Sequence, residues 1–122
     1  KLFILNNYFN ISKGHPEVKK EKFYIFAKDK DEIIGFITSY EGFALYTEGA
    51  FGTIAELYVR PAYRSVGIGK ELINQLRNFA NNKKWSRLEV TTPPLPQFDE
   101  TLAFYEREGF EISGGRKLKR LI

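Results

Sequence analysis

The chain has 122 residues, a formal net charge of +4, 43% hydrophobic and 16% aromatic content, enough apolar material for one domain to bury a core unaided. It holds no cysteine and a single histidine, His15, which excludes a disulfide scaffold, a thiolate nucleophile, a zinc–thiolate centre and a multi-histidine metal site. No apolar run approaches the ~18 residues of a membrane span and no signal peptide is visible, so residues 1–122 read as one soluble, cytoplasmic domain.

Residues 2–11 carry Leu2, Leu5, Tyr8 and Phe9 at helical spacing, ending before Gly14-His15-Pro16. Lys22–Lys28 and Ile33–Tyr40 predict two strands joined by a turn at Asp29-Lys30-Asp31, an antiparallel hairpin. Glu41–Ala50 reads as a loop and Phe51–Val59 as a third strand. After the turn-rich segment Arg60–Gly69, residues Ile68, Leu72, Ile73, Leu76, Phe79 and Ala80 fall on one face of a helix closed by Asn81-Asn82-Lys83-Lys84. Arg87–Thr92 predicts a strand, stopped by Pro93-Pro94-Leu95-Pro96. Asp99 caps a short helix that runs through Glu108 to Gly109. Phe110–Ser113 and Lys117–Ile122 read as final short strands. Together these elements predict a mixed α/β fold: a mostly antiparallel twisted sheet flanked by helices, with a central strand–Gly-rich loop–helix–strand unit. The chain has no methionine and opens directly into the apolar run Lys1–Leu5, so a native start upstream of Lys1 is expected.

Charge is unevenly spread. Residues 1–59 hold seven Lys and eight acids, whereas residues 60–122 hold twelve Lys or Arg and seven acids. A basic half suits an anionic partner, either nucleic acid or a phosphorylated cofactor. The segment that fits the second is Arg64-Ser65-Val66-Gly67-Ile68-Gly69, between a hydrophobic strand and an amphipathic helix. A helix start offers unpaired N–H groups and the positive end of the dipole. Gly67 and Gly69 remove side chains where a phosphate would approach the backbone, and Arg64 and Lys70 add charge at either edge. Glycines at a strand–helix junction also serve as plain turn chemistry. A Walker loop is excluded because no G-x-x-x-x-G-K-[ST] occurs, and the dinucleotide fingerprint lacks its third glycine.

Leu57-Tyr58-Val59-Arg60-Pro61, then Arg64-x-x-Gly67-x-Gly69, then Ala103-Phe104-Tyr105-Glu106-Arg107-Glu108-Gly109-Phe110 resemble the GNAT superfamily of N-acetyltransferases. In that family R/Q-x-x-G-x-G/A opens a helix after a strand ending V-x-P, and an F-Y-x-x-x-G-F helix end follows downstream. Both signatures are present in order, and the resemblance covers residues 22 to 113. It implies acetyl-CoA as co-substrate, with no metal. Its pyrophosphate would lie on the backbone of Val66, Gly67, Ile68, Gly69 and Lys70, with Arg64 at the entrance. Its pantetheine arm would lie along Leu57, Tyr58 and Val59, in a gap between that strand and Arg87–Thr92. Two departures from the pattern stand out. The connection Thr91–Asp99 contains no asparagine, and the family's first strand and part of its first helix are missing.

An alkyl ammonium with pKa near ~10 must lose a proton before it attacks a thioester. Glu56, an acid in an otherwise apolar strand, is the candidate base, acting through a water; its bland alternative is a solvent-facing strand residue. The oxyanion needs a donor, and a strand N–H near Leu57 or Tyr58 qualifies. The resemblance implies Tyr105 as the acid that protonates the departing thiolate; its alternative is core packing beside Leu102 and Phe104. Glu89 reads as a surface residue and His15 as a turn residue. The segment Glu41–Glu48, with Glu56 nearby, is a candidate receptor for a cationic amine. The expected activity is acetyl transfer to a primary amine by direct attack in a ternary complex, with a small-molecule amine favoured over a protein and a homodimer as the expected assembly. A non-catalytic acyl-CoA-binding or sensing module is the runner-up. A basic nucleic-acid-binding domain is disfavoured because no helix-turn-helix or RNA-binding aromatic motif occurs, and no membrane partner is expected.

Overall fold

The computed structural model describes residues 3–5, 22–44, 49–93, 95–114 and 118–122. In chain order these form β1 (Phe3–Leu5), β2 (Lys22–Asp29), β3 (Glu32–Ala44), β4 (Gly49–Val59), α1 (Ile68–Lys83), β5 (Leu88–Val90) and α2 (Asp99–Arg107), with 3₁₀ turns at Pro61–Tyr63 and Pro96–Phe98. The strands make one sheet in the order β1-β2-β3-β4-β5, antiparallel except for the parallel pair β4–β5. This is the mixed, mostly antiparallel sheet predicted from the sequence, with β4, a Gly-rich loop, α1 and β5 as its crossover unit. The chain divides into two compact units, Lys1–Thr91 and Thr92–Ile122. The first holds the whole sheet and α1, and the second holds α2.

In the first unit, Phe23, Ile25 and Ala27 of β2 alternate into the core with Ile37 of β3 and Ile54 of β4, the period of two that a half-buried sheet requires. Helix α1 packs on β2, β3 and β4. Its buried residues, Ile68, Leu72, Ile73, Leu76, Phe79 and Ala80, are the stripe read from the sequence. Each large apolar side chain so buried contributes about 1.5–3 kcal/mol. Lys84 ends the helix in the left-handed region, its N–H donating to the carbonyls of Ala80 and Asn81. Trp85 then folds back against Phe79 and Phe23, with ring centroids 5.4 and 5.9 Å away.

Four expectations change. The segment read as a helix contains β1, paired to the edge of β2 through Phe3↔Lys28, Ile4↔Ala27 and Leu5↔Phe26; residues 6–21, His15 among them, lie outside the described residues. A strand therefore does precede the hairpin, where the resemblance left one missing. The apolar spacing imitated a helix, but an unpaired sheet edge takes the segment as a strand. The loop expected over residues 41–50 is largely ladder: β3 runs on to Ala44 and β4 starts at Gly49, with Gly42 paired to Phe51, whose ring lies over the glycine. Asp99 does not cap α2. Phe98 occupies the cap position with no side-chain hydrogen bond, and Asp99 is the first helical residue, where its charge suits the dipole. Finally, residues 110–114 and 118–122 are not strands.

Candidate active site

The register of β3 against β4 decides which backbone groups of β4 are open. Arg60 N–H donates to Ile34 O at 2.8 Å, and the pairs Val59↔Gly35, Tyr58↔Phe36, Leu57↔Ile37 and Glu56↔Thr38 follow. Antiparallel ladders alternate, so Tyr58 and Glu56 turn their N–H and C=O toward β3, whereas Leu57 and Val59 turn theirs away. On that other side β5 pairs only with Gly52, Thr53 and Ile54. A register shift sits between Thr38 and Ser39 and leaves Ala55 as the extra residue of a bulge in β4, which bends a strand locally. The polar edge of Leu57 and Val59 therefore lies beyond the end of the β5 ladder. The Arg64 side chain takes part of it, its Nε donating to Val59 O at 2.8 Å and its guanidinium lying 5.8 Å from the Tyr58 ring centroid.

Past Arg64 the backbone turns left-handed twice, at Ser65 (φ 63°) and Gly67 (φ 92°), and enters α1. Gly67 occupies the cap position with no side-chain hydrogen bond, so it gives the first N–H groups of α1 no side-chain acceptor of its own. A Cβ on Gly67 would meet no atom within 4 Å. The loop thus presents a row of amides and a helix dipole to open space, flanked by the exposed Lys70.

Glu56 sits one residue from this edge but leans the other way. Its Oε1 accepts from Thr38 Oγ1 at 3.2 Å and lies 3.4 Å from Lys22 Nζ, while its side chain keeps 54% exposure. The row Tyr24–Thr38–Glu56 crosses three paired strands. Lys22 Nζ is also 5.2 Å from the ring centroids of both Tyr24 and Tyr40. Burial alone pulls its pKa down; hydrogen bonds to Tyr40 and Tyr24 outweigh that and hold the ammonium above its ordinary 10.5. In the second unit, Tyr105 is 5% exposed, in edge contact with Phe104 and Phe110, both 5.3 Å away between centroids. Burial raises its phenol pKa above 10.0, so it carries its proton throughout the neutral range. Of the site residues read from the sequence, Leu57, Tyr58, Val59, Arg64, Val66, Gly67, Ile68, Gly69, Lys70 and Glu56 lie together in the first unit, and Tyr105 belongs to the second.

A family model described as "Acetyltransferase (GNAT) domain" matches residues 19–112. The chain belongs to the GNAT acetyltransferase family. Among curated proteins no sequence matches it. Solved structures do. A ribosomal-protein-alanine N-acetyltransferase from Brucella melitensis biovar Abortus 2308 is 24% identical with a TM-score of 0.70, over 82% of this chain and 70% of that one. An aminoglycoside acetyltransferase from an uncultured soil metagenomic sample is 21% identical with a TM-score of 0.75, over 87% and 69%. AAC(6')-Iy in complex with the bisubstrate analog CoA-S-monomethyl-acetylneamine is 16% identical with a TM-score of 0.75, over 100% and 99%. At these identities the structures speak for a shared fold.

Acetyl-CoA is the co-substrate of the GNAT family, and the residues present fit that group. The uncapped helix start, the open space before Gly67 and the left-handed loop suit a pyrophosphate, and the edge of Leu57 and Val59 suits an extended arm that pairs like a strand. Two readings of individual acids resolve. Glu89 is exposed and ion-paired to Arg87. Glu41 does not belong to an open acceptor loop: its side chain is 10% exposed, accepts from Trp85 Nε1 at 2.5 Å and lies 3.7 Å from Lys83 Nζ, so it ties β3 to the end of α1. Glu48 lies outside the described residues. Among the described residues no cluster of His, Cys, Asp and Glu could hold a metal, and no helix is long and apolar enough to cross a membrane. Sequence reasoning missed Lys22 and Thr38 beside Glu56 and the two tyrosines beside Lys22, because they meet through strand register. The alternation of Lys22, Tyr24 and Phe26 against Phe23, Ile25 and Ala27 was the available signal.

Proposed function

We propose that the chain transfers acetyl from acetyl-CoA to the primary amine of a small molecule by direct attack in a ternary complex. The observation that carries this is Arg64-x-x-Gly67-x-Gly69 folded as a left-handed turn into an uncapped helix start, beside a stretch of β4 with an outward-facing edge. The amides of Val66 to Lys70 bind the pyrophosphate, and Leu57 and Val59 bind the pantetheine arm through their backbone. Tyr58 contributes its ring beside Arg64 rather than its N–H, which faces β3. Glu56, reached through a water, takes a proton from the acceptor ammonium. As the C–N bond forms, the N–H of Leu57 stabilises the developing oxyanion. The C–S bond then breaks as the oxyanion collapses, Tyr105 supplies the proton that the departing sulfur needs, and the second proton that the attacking nitrogen must lose restores the Tyr105 phenol.

Residues 1–122 act in this reading as one acetyltransferase domain, since the family match runs from the first unit into the second. The expected setting is the cytoplasm, as a homodimer, with neither a metal, a nucleic acid nor a membrane as partner. Aminoglycosides head the acceptor screen because several neighbours of the same fold are named for them. Calorimetric titration of acetyl-CoA and CoA into the intact chain and into Gly67→Asp tests the reading. Micromolar binding that the variant loses supports it, because the added carboxylate projects into the space before the loop and repels phosphate. Equal binding by both proteins, or none by the intact chain, sinks it.

A further inference from the structure

The loop Arg64–Gly67 is anchored at both ends, and only one anchor is obvious. On the helix side, Ile68 is 3% and Leu72 0% exposed, so α1 is fixed by its core contacts. On the strand side the chain passes through Arg60 and the 3₁₀ turn Pro61–Tyr63, which buries no residue of its own. Its backbone is tied by Arg60 N–H to Ile34 O and by Arg64 Nε to Val59 O, and its side chains reach across to the tip of the neighbouring hairpin. Tyr63 Oη donates to Asp29 Oδ2 at 2.9 Å in a part-buried hydrogen bond, and Arg60 Nη1 lies 3.4 Å from Glu32 Oε2. Asp29 and Glu32 pair with each other across the two-residue turn Lys30-Asp31, so both acids flank one rigid tip. The Tyr63 phenol is raised above its ordinary 10.0, chiefly by its hydrogen bond to Asp29.

Between the anchors, Ser65 holds φ 63°. A residue with a Cβ pays for the left-handed region, and such a conformation persists only where its surroundings over-determine it. If the strand-side anchor is released, Ser65 can return to negative φ, and the amides of Val66 and Gly67 rotate with it. We infer that Tyr63 and Asp29 are positioning residues for the anion site: the hairpin tip β2–β3 holds Ser65 in its left-handed conformation and so aims the loop amides at the pyrophosphate. This rests on the proposed acetyl-CoA site, but the anchor itself exists in the free protein and can be tested there.

Tyr63→Phe removes one hydroxyl and keeps the ring. In the free protein, amide exchange at Ser65–Gly69 should accelerate about tenfold, the scale of one lost hydrogen bond, with the α1 interior unchanged. CoA affinity should fall by about the same factor, whereas affinity for acetyl-pantetheine, which has no pyrophosphate, should not change. Asp29→Ala should behave like Tyr63→Phe, and Asp29→Asn, which keeps an acceptor oxygen, should stay near the intact protein. The decisive arm is Ser65→Gly in the Tyr63→Phe background: glycine needs no help to hold positive φ, so CoA affinity should return. A hydrogen bond that served only the stability of the fold would leave a folded protein with unchanged CoA affinity, and there would be no loss for Ser65→Gly to rescue. Unchanged exchange in Tyr63→Phe overturns the inference. So does an equal loss for CoA and acetyl-pantetheine, or a failure of Ser65→Gly to rescue. Faster loop exchange in a chain whose intact form binds no CoA would uphold the anchor, overturn its role toward pyrophosphate and refute the acetyl-CoA site.

Discussion

Glu56 and Tyr105 illustrate how differently two residues of one proposed reaction are held. Glu56 is solvated and tethered through Thr38 and Lys22, whereas Tyr105 is buried between phenylalanines of its own unit. Burial raises the Tyr105 pKa above 10.0, so the protonated, donating form persists below that value and is lost only as pH climbs through it. With Tyr105 as the acid, kcat stays level on the alkaline side of neutrality and declines only beyond the ordinary range of a tyrosine. Tyr105→Phe should lower kcat about 10²-fold and abolish that decline, and Glu56→Gln should lower kcat/KM by a similar factor while leaving the decline in place. Rates of thiol release, followed from pH 6 to 11 with the best acceptor from the amine screen, check both. A Tyr105→Phe enzyme that keeps its alkaline limb would assign that limb to another group. The proposal for Tyr105 comes from the F-Y-x-x-x-G-F resemblance. The setting of Glu56 was not, because Lys22 is 34 positions away and reaches it only through strand register.

At the level of elements, glycines that look alike in sequence do different work. Gly67 has a left-handed φ and open space before it, so Gly67→Ala adds no clash and costs about 1–2 kcal/mol of backbone strain. Gly52 has the opposite problem. A Cβ there would run into the Trp85 ring and lie 3.0 Å from Leu88 Cδ2. Trp85 cannot retreat, since Glu41 holds its indole N–H and Phe23 and Phe79 pack its faces. Gly52→Ala should therefore cost about 1–3 kcal/mol through overpacking, read as a lower urea midpoint, and leave CoA affinity unchanged in the folded protein. Gly67→Ala should weaken CoA binding. A Gly52→Ala midpoint equal to the intact protein's would mean that Trp85 is mobile. The same distinction explains what was legible. Strands β2 and β4 and helix α1 were readable because one periodicity dominates each. Strand β1 was not, because Leu2, Leu5, Tyr8 and Phe9 fit a helical period while the need of β2 for a partner is not written locally. The loop expected after Tyr40 differs for a related reason: its glycines suggest turns, whereas Gly42 is a site where the Phe51 ring presses on a ladder.

For the whole molecule, the open matter is whether the two compact units behave as one domain. Among the described residues of the second unit the one α-helix, α2, spans nine residues and buries a single side chain, Tyr105, and isolated helices shorter than ~12–15 residues are marginal in water. Helix α2 therefore draws little stability from within itself, and it should unfold with the first unit in one cooperative transition. The single tryptophan, Trp85, lies in the first unit, so its fluorescence reports there, and amide exchange along Leu102–Glu106 reports on α2. The two probes should give the same denaturant midpoint, and CoA at about 100 times its Kd should raise both together by about 2.7 kcal/mol. If α2 exchanges well below the Trp85 midpoint, Tyr105 is carried on a separately melting segment. Proton donation by Tyr105 would then depend on that segment closing, and kcat would fall with denaturant before the tryptophan signal moves.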